Sequence, residues 1–120
     1  MGRTVYVLLP DASEREWVKA TLPKKMGQVV SLDDVGELPP DAPSGNACLI
    51  VSAEPIEDGA VKLINELRDH GSAIAVIALG SHAVFRVAVD IARMDGTDFL
   101  ERPVSDRELL QAVQRVWDQQ

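Results

Sequence analysis

Cysteine is nearly missing from this chain: Cys48 is the one thiol in 120 residues. That excludes an intramolecular disulfide and any metal site built from several thiolates. Cys48 sits inside the apolar stretch ACLIV and reads as a buried structural thiol. Positive charge is also scarce, with 12 Lys and Arg against 19 Asp and Glu, a net charge of −7. Binding a phosphate backbone needs clustered Lys and Arg, so no nucleic acid is expected on this domain itself. No apolar run reaches membrane length and none at the N-terminus has the form of a secretion signal. The expected location is therefore the cytoplasm, with no membrane partner. A Gly-x-x-x-x-Gly-Lys-Ser/Thr loop and a Rossmann glycine fingerprint are both absent. The segment PDASERE, residues 10–16, is acidic and has no glycine, so a flavin phosphate finds no nest there. No cofactor is expected, and two separate histidines, His70 and His82, make no metal site.

What is present is a regular alternation. The chain is long enough for one domain with one core, and we read residues 1–120 as that domain. Apolar residues make up 46% of it, which argues against disorder. Val5 to Leu9 is an apolar, β-branched run that reads as a strand buried on both faces, ended by Pro10. Asp11 or Ser13 caps a helix, since Asp11 with Glu14, or Ser13 with Glu16, has capping-box spacing. That helix carries Trp17, Val18 and Leu22 and ends near Pro23. Gln28 to Leu32 is a short second strand. Asp33 to Asn46 is mostly loop, with at most one helical turn around Asp33 to Leu38.

Ala47 to Val51 is a third strand. Glu57 to His70 is helical, with Val61, Ile64 and Leu67 at helical spacing, and stops at Gly71. Ala73 to Leu79 is wholly apolar and too short for a membrane span, so it reads as a central parallel strand. Ser81 or His82 to Met94 is a fourth helix and Thr97 to Leu100 a fifth strand. Ser105 to Gln119 is the last helix, with a Ser105–Glu108 capping box and an apolar side made by Leu109, Leu110, Val113, Val116 and Trp117. Apolar strands separated by amphipathic helices predict an α/β, flavodoxin-like (βα)5 fold: a doubly wound parallel sheet in the order 2-1-3-4-5. Its site is expected at the carboxyl ends of the strands, at Pro10–Asp11, Ser52–Pro55, Gly80–His82 and Glu101–Pro103.

The segment GTDFLERP, residues 96–103, together with this rhythm resembles the CheY-like receiver domain of two-component response regulators, in its FixJ-type form. The resemblance spans essentially the whole chain. It implies a phosphorylation site of five groups: two acidic residues that hold Mg²⁺ after strand one, an Asp nucleophile ending strand three, a Thr or Ser after strand four, and a Lys after strand five. The chemistry needs them because a hard cation takes carboxylate oxygens and the transferring phosphoryl charge must be neutralised. Here the acidic pair falls on Pro10 and Asp11, or on Leu9 and Pro10 if strand one slips by one. The nucleophile position falls on Ser52, with Val51 as the other alignment. The hydroxyl position falls on Gly80, beside Ser81, and the Lys position on Arg102.

The pattern therefore reads as a pseudo-receiver that lacks the phosphoacceptor Asp, with no metal site and no enzyme activity. An unactivated Ser52 hydroxyl is a poor nucleophile. Glu54 and Asp58 are the alternative acceptors for non-standard phosphoryl chemistry. Asp11 reads as a metal ligand or a helix N-cap, and Arg102 as a cation that pairs with Asp11 or Glu54 in place of the metal. Pro103 resembles the family proline that follows a cis peptide bond, and Phe99 the family's switch aromatic.

In the fourth helix, HAVFRVAVDIARM, one stripe is Val84, Val87, Ala88 and Ile91, and a second is Phe85, Val89 and Ala92. Apolar residues on two sides of a surface helix suggest a partner face. In the resembling receivers, the fourth helix, fifth strand and fifth helix form the homodimer surface. Carried over by position it uses Phe85, Val89, Arg93, Asp98 and Phe99, with Arg93 and Asp98 of opposite charge available to pair across a two-fold axis. The expectation is a homodimerisation or protein-interaction module of a transcriptional regulator, working without phosphorylation. Its rivals are a small-molecule sensor using the vestigial pocket and a receiver with non-standard phosphoryl chemistry. No helix-turn-helix is present, so a DNA-binding part would lie outside these residues.

Overall fold

In the computed structural model of the chain, residues 3–23, 27–37, 47–53, 59–72, 74–81 and 97–118 are described. Five strands make one parallel sheet in the order β2-β1-β3-β4-β5: β1 is Thr4–Leu8, β2 Gln28–Ser31, β3 Ala47–Ser52, β4 Ala75–Gly80 and β5 Thr97–Glu101. Three helices are described, α1 at Ala12–Thr21, α2 at Gly59–Asp69 and α3 at Asp106–Asp118, with a 3₁₀ turn at Val35–Glu37. The flavodoxin-like order expected from the sequence is the order observed. The expected fourth helix, with Phe85, Val89 and Arg93, lies outside the described residues, as does the expected start of α2 at Glu57.

The strands read as continuous apolar runs because they are covered on both faces. In β4 all six residues are buried, and in β3 the first five. Alternate residues feed two core clusters. Val5, Val7, Cys48, Ile50, Ile77 and Leu79 pack with Val18 and Leu22 of α1 and with Leu109, Val113 and Val116 of α3. Leu49, Val51, Val76 and Ala78 pack with Ile64 on the other face, where α2 lies. Full burial of a Leu or Ile side chain stabilises the fold by about 1.5–3 kcal/mol. Cys48 belongs to this interior, and burial pushes its thiol up from the ordinary value near 9 to about 12.

Local chemistry sets the ends. Ser105 and Glu108 form a reciprocal capping box at the start of α3: the Glu108 amide donates to Ser105 Oγ and the Ser105 amide to Glu108 Oε1, both at 3.1 Å. Helix α2 stops at Gly71, which takes a φ of +85°, the left-handed conformation that glycine adopts without strain. Trp17 Nε1 donates to Asp106 Oδ1 at 2.6 Å and ties α1 to α3.

Some boundaries differ from those read in the sequence. β1 runs Thr4–Leu8 rather than Val5 to Leu9. Leu9 is apolar because it is buried, not because it stands in the strand. β4 starts at Ala75 rather than Ala73 and reaches Gly80, whose carbonyl accepts from the Arg102 amide at 2.8 Å.

Candidate functional site

The carboxyl ends of β1, β3, β4 and β5 converge, as a parallel sheet with this order requires. Ser52 closes β3, opposite Leu79 of β4, and Gly80 stands opposite Glu101 of β5. Strand pairing thus brings Ser52, Gly80 and the residue after β5, Arg102, to one spot. Ser52 is half-buried, whereas Val51 is buried on the α2 side of the sheet.

Arg102 dominates this spot. Its Nε donates to Glu14 Oε2 at 2.9 Å and its Nη2 to Glu14 Oε1 at 2.8 Å, a bidentate pair between the end of β5 and the first turn of α1. Nη2 also donates to Ser52 Oγ at 3.1 Å, and Nη1 to the Leu79 carbonyl at 3.1 Å. The Arg102 and Glu14 side chains are 25% and 18% exposed, so water screens the pair only in part. Guanidinium geometry suits this fork in a way a lysine ammonium would not.

The sequence reading paired Arg102 with Asp11 or Glu54; the structure adds Glu14 as a carboxylate partner and gives Asp11 another role. The Asp11 carboxylate is exposed and accepts the Ser13 amide at 2.9 Å, as the N-cap of α1. Capping commits that short side chain to its own helix. Glu14 does not reach back to complete a capping box with Asp11; its longer side chain takes the two guanidinium donors instead. Glu54 lies outside the described residues, as do Asp58 and His82. Pro10 is exposed and brings no side-chain donor, while its carbonyl and that of Leu9 accept from Arg15 Nη1 at 3.4 and 2.7 Å.

Around this centre the other singled-out residues fall as follows. The Arg102–Pro103 peptide is cis. Phe99 is half-buried against the core cluster on the α2 face. Asp98 is taken by its own chain: its Oδ2 accepts from Arg115 Nε at 3.1 Å and from Arg115 Nη2, and its Oδ1 from the Phe99 amide at 2.9 Å. The reciprocal Arg93–Asp98 pair read from the sequence therefore has an intramolecular competitor, and Arg93 itself lies outside the described residues.

Among the described residues at these strand ends, the side-chain carboxylates are otherwise engaged or missing. Asp11 caps a helix, Glu14 is held by a cation, and Pro10, Ser52 and Gly80 supply no carboxylate. No group of three or more His, Cys, Asp or Glu suited to a metal occurs among the described residues. Nor is Ser52 activated by its arginine contact. A guanidinium that donates to Oγ draws electron density from it, the reverse of what a general base does.

Full-length FixJ from B. japonicum superimposes on 98% of the chain with a TM-score of 0.77 at 25% identity, this chain spanning 58% of its length. The chain has the receiver-domain fold. A response regulator receiver domain from Clostridium thermocellum gives the same TM-score, 0.77, over 97% of this chain and 94% of its own, at 16% identity. In sequence, the transcriptional regulatory protein FixJ of Azorhizobium caulinodans is 28% identical over 71 residues, 59% of this chain and 34% of that protein. The stretch it matches is about a third of that relative. No family model matches the chain. At the carboxyl ends of this frame stand Ser52, Gly80 and Arg102.

The partner that sequence reasoning missed is Glu14. Its signal was visible, since an acidic residue one turn into the helix after strand one faces the same strand ends as Asp11. It was absorbed into a capping motif that the structure does not complete.

Proposed function

We propose that this chain is a pseudo-receiver of two-component-type regulation. It is a signalling module that works without phosphorylation, through contacts with a second copy or another signalling protein. The observation that carries this reading is the Arg102 fork on Glu14 and Ser52, which supplies a built-in cation to a pocket with no phosphoacceptor carboxylate at Ser52. A permanent charge there holds the strand ends in one arrangement, and a domain with one arrangement transmits no phosphorylation signal. With Gly80 in the hydroxyl position, Phe99 also lacks the group it would follow.

The proposed contact face is that of the fourth helix, β5 and α3, using Phe85, Val89, Arg93, Asp98 and Phe99. Support comes from the two apolar stripes of the sequence at residues 82–94. On this reading the module belongs to a cytoplasmic transcription regulator and has no catalytic activity of its own. A second reading, a small-molecule sensor, draws on an open groove of about 540 Å³ beside Arg102, lined by Asp11, Glu14, Trp17 and Val104.

Amide NMR with Mg²⁺ and then beryllofluoride tests the proposal. The expected result is no saturable shift at Ser52, Gly80 or Phe99. Saturable shifts that reach Phe99 would show that metal and phosphoryl mimic still bind and still switch the domain, and the proposal would fall. Sedimentation equilibrium, with Val89→Glu as the face variant, tests self-association.

A further inference from the structure

At the opposite, amino end of the strands lies an open groove of about 620 Å³, within the range of about 300–1,000 Å³ usual for small-molecule sites. Leu22 and Val29 give it an apolar floor, Thr4 and Gln28 add polar groups, and Arg3 and Lys19 supply two cations. Among the described residues, no acidic side chain lines it. Neither Arg3 nor Lys19 makes an ion pair among the described residues.

This is an unusual place in an acidic chain. No Asp or Glu occurs between Glu16 and Asp33, and three of the four lysines, Lys19, Lys24 and Lys25, fall in that interval. The rest of the chain therefore carries all 19 acidic residues. Two cations with no carboxylate partner among the described residues, over an apolar floor, match an anion with an apolar body. The groove is also built closely. Gly27 has a φ of +144°, and a Cβ there would lie 2.4 Å from the Arg3 carbonyl oxygen, so the backbones just before β1 and just before β2 meet without a side chain between them. The guanidinium of Arg3 stands 4.9 Å above the Trp117 ring, which fixes its position at the rim.

We propose that this groove is a binding site for a small organic anion: a phosphate monoester or carboxylate whose charged group meets Arg3 and Lys19 and whose short apolar part lies on Leu22 and Val29. The site is independent of the pseudo-receiver reading, since it shares no residue with the Arg102 pocket.

The test is an NMR titration of the whole chain with hexyl phosphate, inorganic phosphate and hexanol. Trp117 offers a reporter because its indole N–H is buried and has no hydrogen-bond partner, whereas the Trp17 indole is engaged with Asp106 and does not line the groove. Hexyl phosphate is expected to shift Gly27, Gln28 and the Trp117 indole saturably and to leave the Trp17 indole in place. Removing a charged hydrogen-bonding partner by Arg3→Gln or Lys19→Gln should weaken binding about tenfold each, with Arg107→Gln as an exposed control that changes nothing.

Absence of saturation overturns the proposal, and so do equal binding of hexanol or variants that bind like the parent. Inorganic phosphate binding as tightly as hexyl phosphate overturns the role given to Leu22 and Val29. Co-sedimentation with phosphatidic acid vesicles, lost in the same variants, assigns the phosphate to a lipid headgroup and overturns the free ligand.

Discussion

Two ends of one sheet treat their cations in opposite ways. At the carboxyl end, Arg102 reaches the Glu14 carboxylate, the Ser52 hydroxyl and the Leu79 carbonyl, and nearby Arg15 reaches the carbonyls of Leu9 and Pro10. At the amino end, Arg3 and Lys19 flank an open groove and form no ion pair among the described residues. The position that fold geometry marks for chemistry is thus filled from within, while the cations at the other end have no carboxylate partner among the described residues. A charge already matched by its own chain resists a new ligand, because binding must first break contacts that are hard to replace. An unmatched charge carries no such cost.

The contrast has measurable consequences. Arg102→Ala leaves a partly buried carboxylate and a hydroxyl without their shared donor. It should destabilise the chain by about 2–3 kcal/mol in urea unfolding, between the values for exposed and fully buried pairs. In a double-mutant cycle with Glu14→Ala, a coupling of about 1–2 kcal/mol is expected. Unchanged stability would remove the idea that Arg102 holds this end together. Gly27→Ala, at the amino end, forces a side chain into a left-handed backbone against the Arg3 carbonyl and should cost about 1–2 kcal/mol. The same unfolding assay checks it.

Arg115→Ala breaks an ion pair whose arginine is half exposed. A loss below about 1 kcal/mol, shrinking as salt is raised, is expected. Lys19→Gln should change stability by less than about 0.5 kcal/mol, since the side chain is exposed and unpaired. A larger loss would mean that Lys19 is matched after all, and the contrast between the two ends would weaken.

The strand order could be read from the sequence because parallel strands covered on both faces leave uninterrupted apolar runs, and AIAVIAL is the clearest. The Ser105–Glu108 cap was legible for the same kind of reason: both of its bonds are local. The Glu14–Arg102 pair was not. Its partners are 88 residues apart, and a local motif offered Glu14 another use. Asp98 shows the same effect: its partner Arg115 lies one helix away, whereas the resemblance offered Arg93 of a second copy. The basic amino end was written in the interval between Glu16 and Asp33. It becomes a groove only when β1 and β2 are paired and Gly27 meets Arg3.

The placement of Arg102 also decides what a carboxylate at residue 52 would meet. A Ser52→Asp substitution sets a carboxylate beside a guanidinium that already lies 3.1 Å from the Ser52 hydroxyl. The new acid would be captured as a second counter-ion and stabilised there, not freed to attack phosphorus. A carboxylate at residue 52 would thus act as a lock on the strand ends, and freeing it means removing Arg102, the change expected to weaken the fold most.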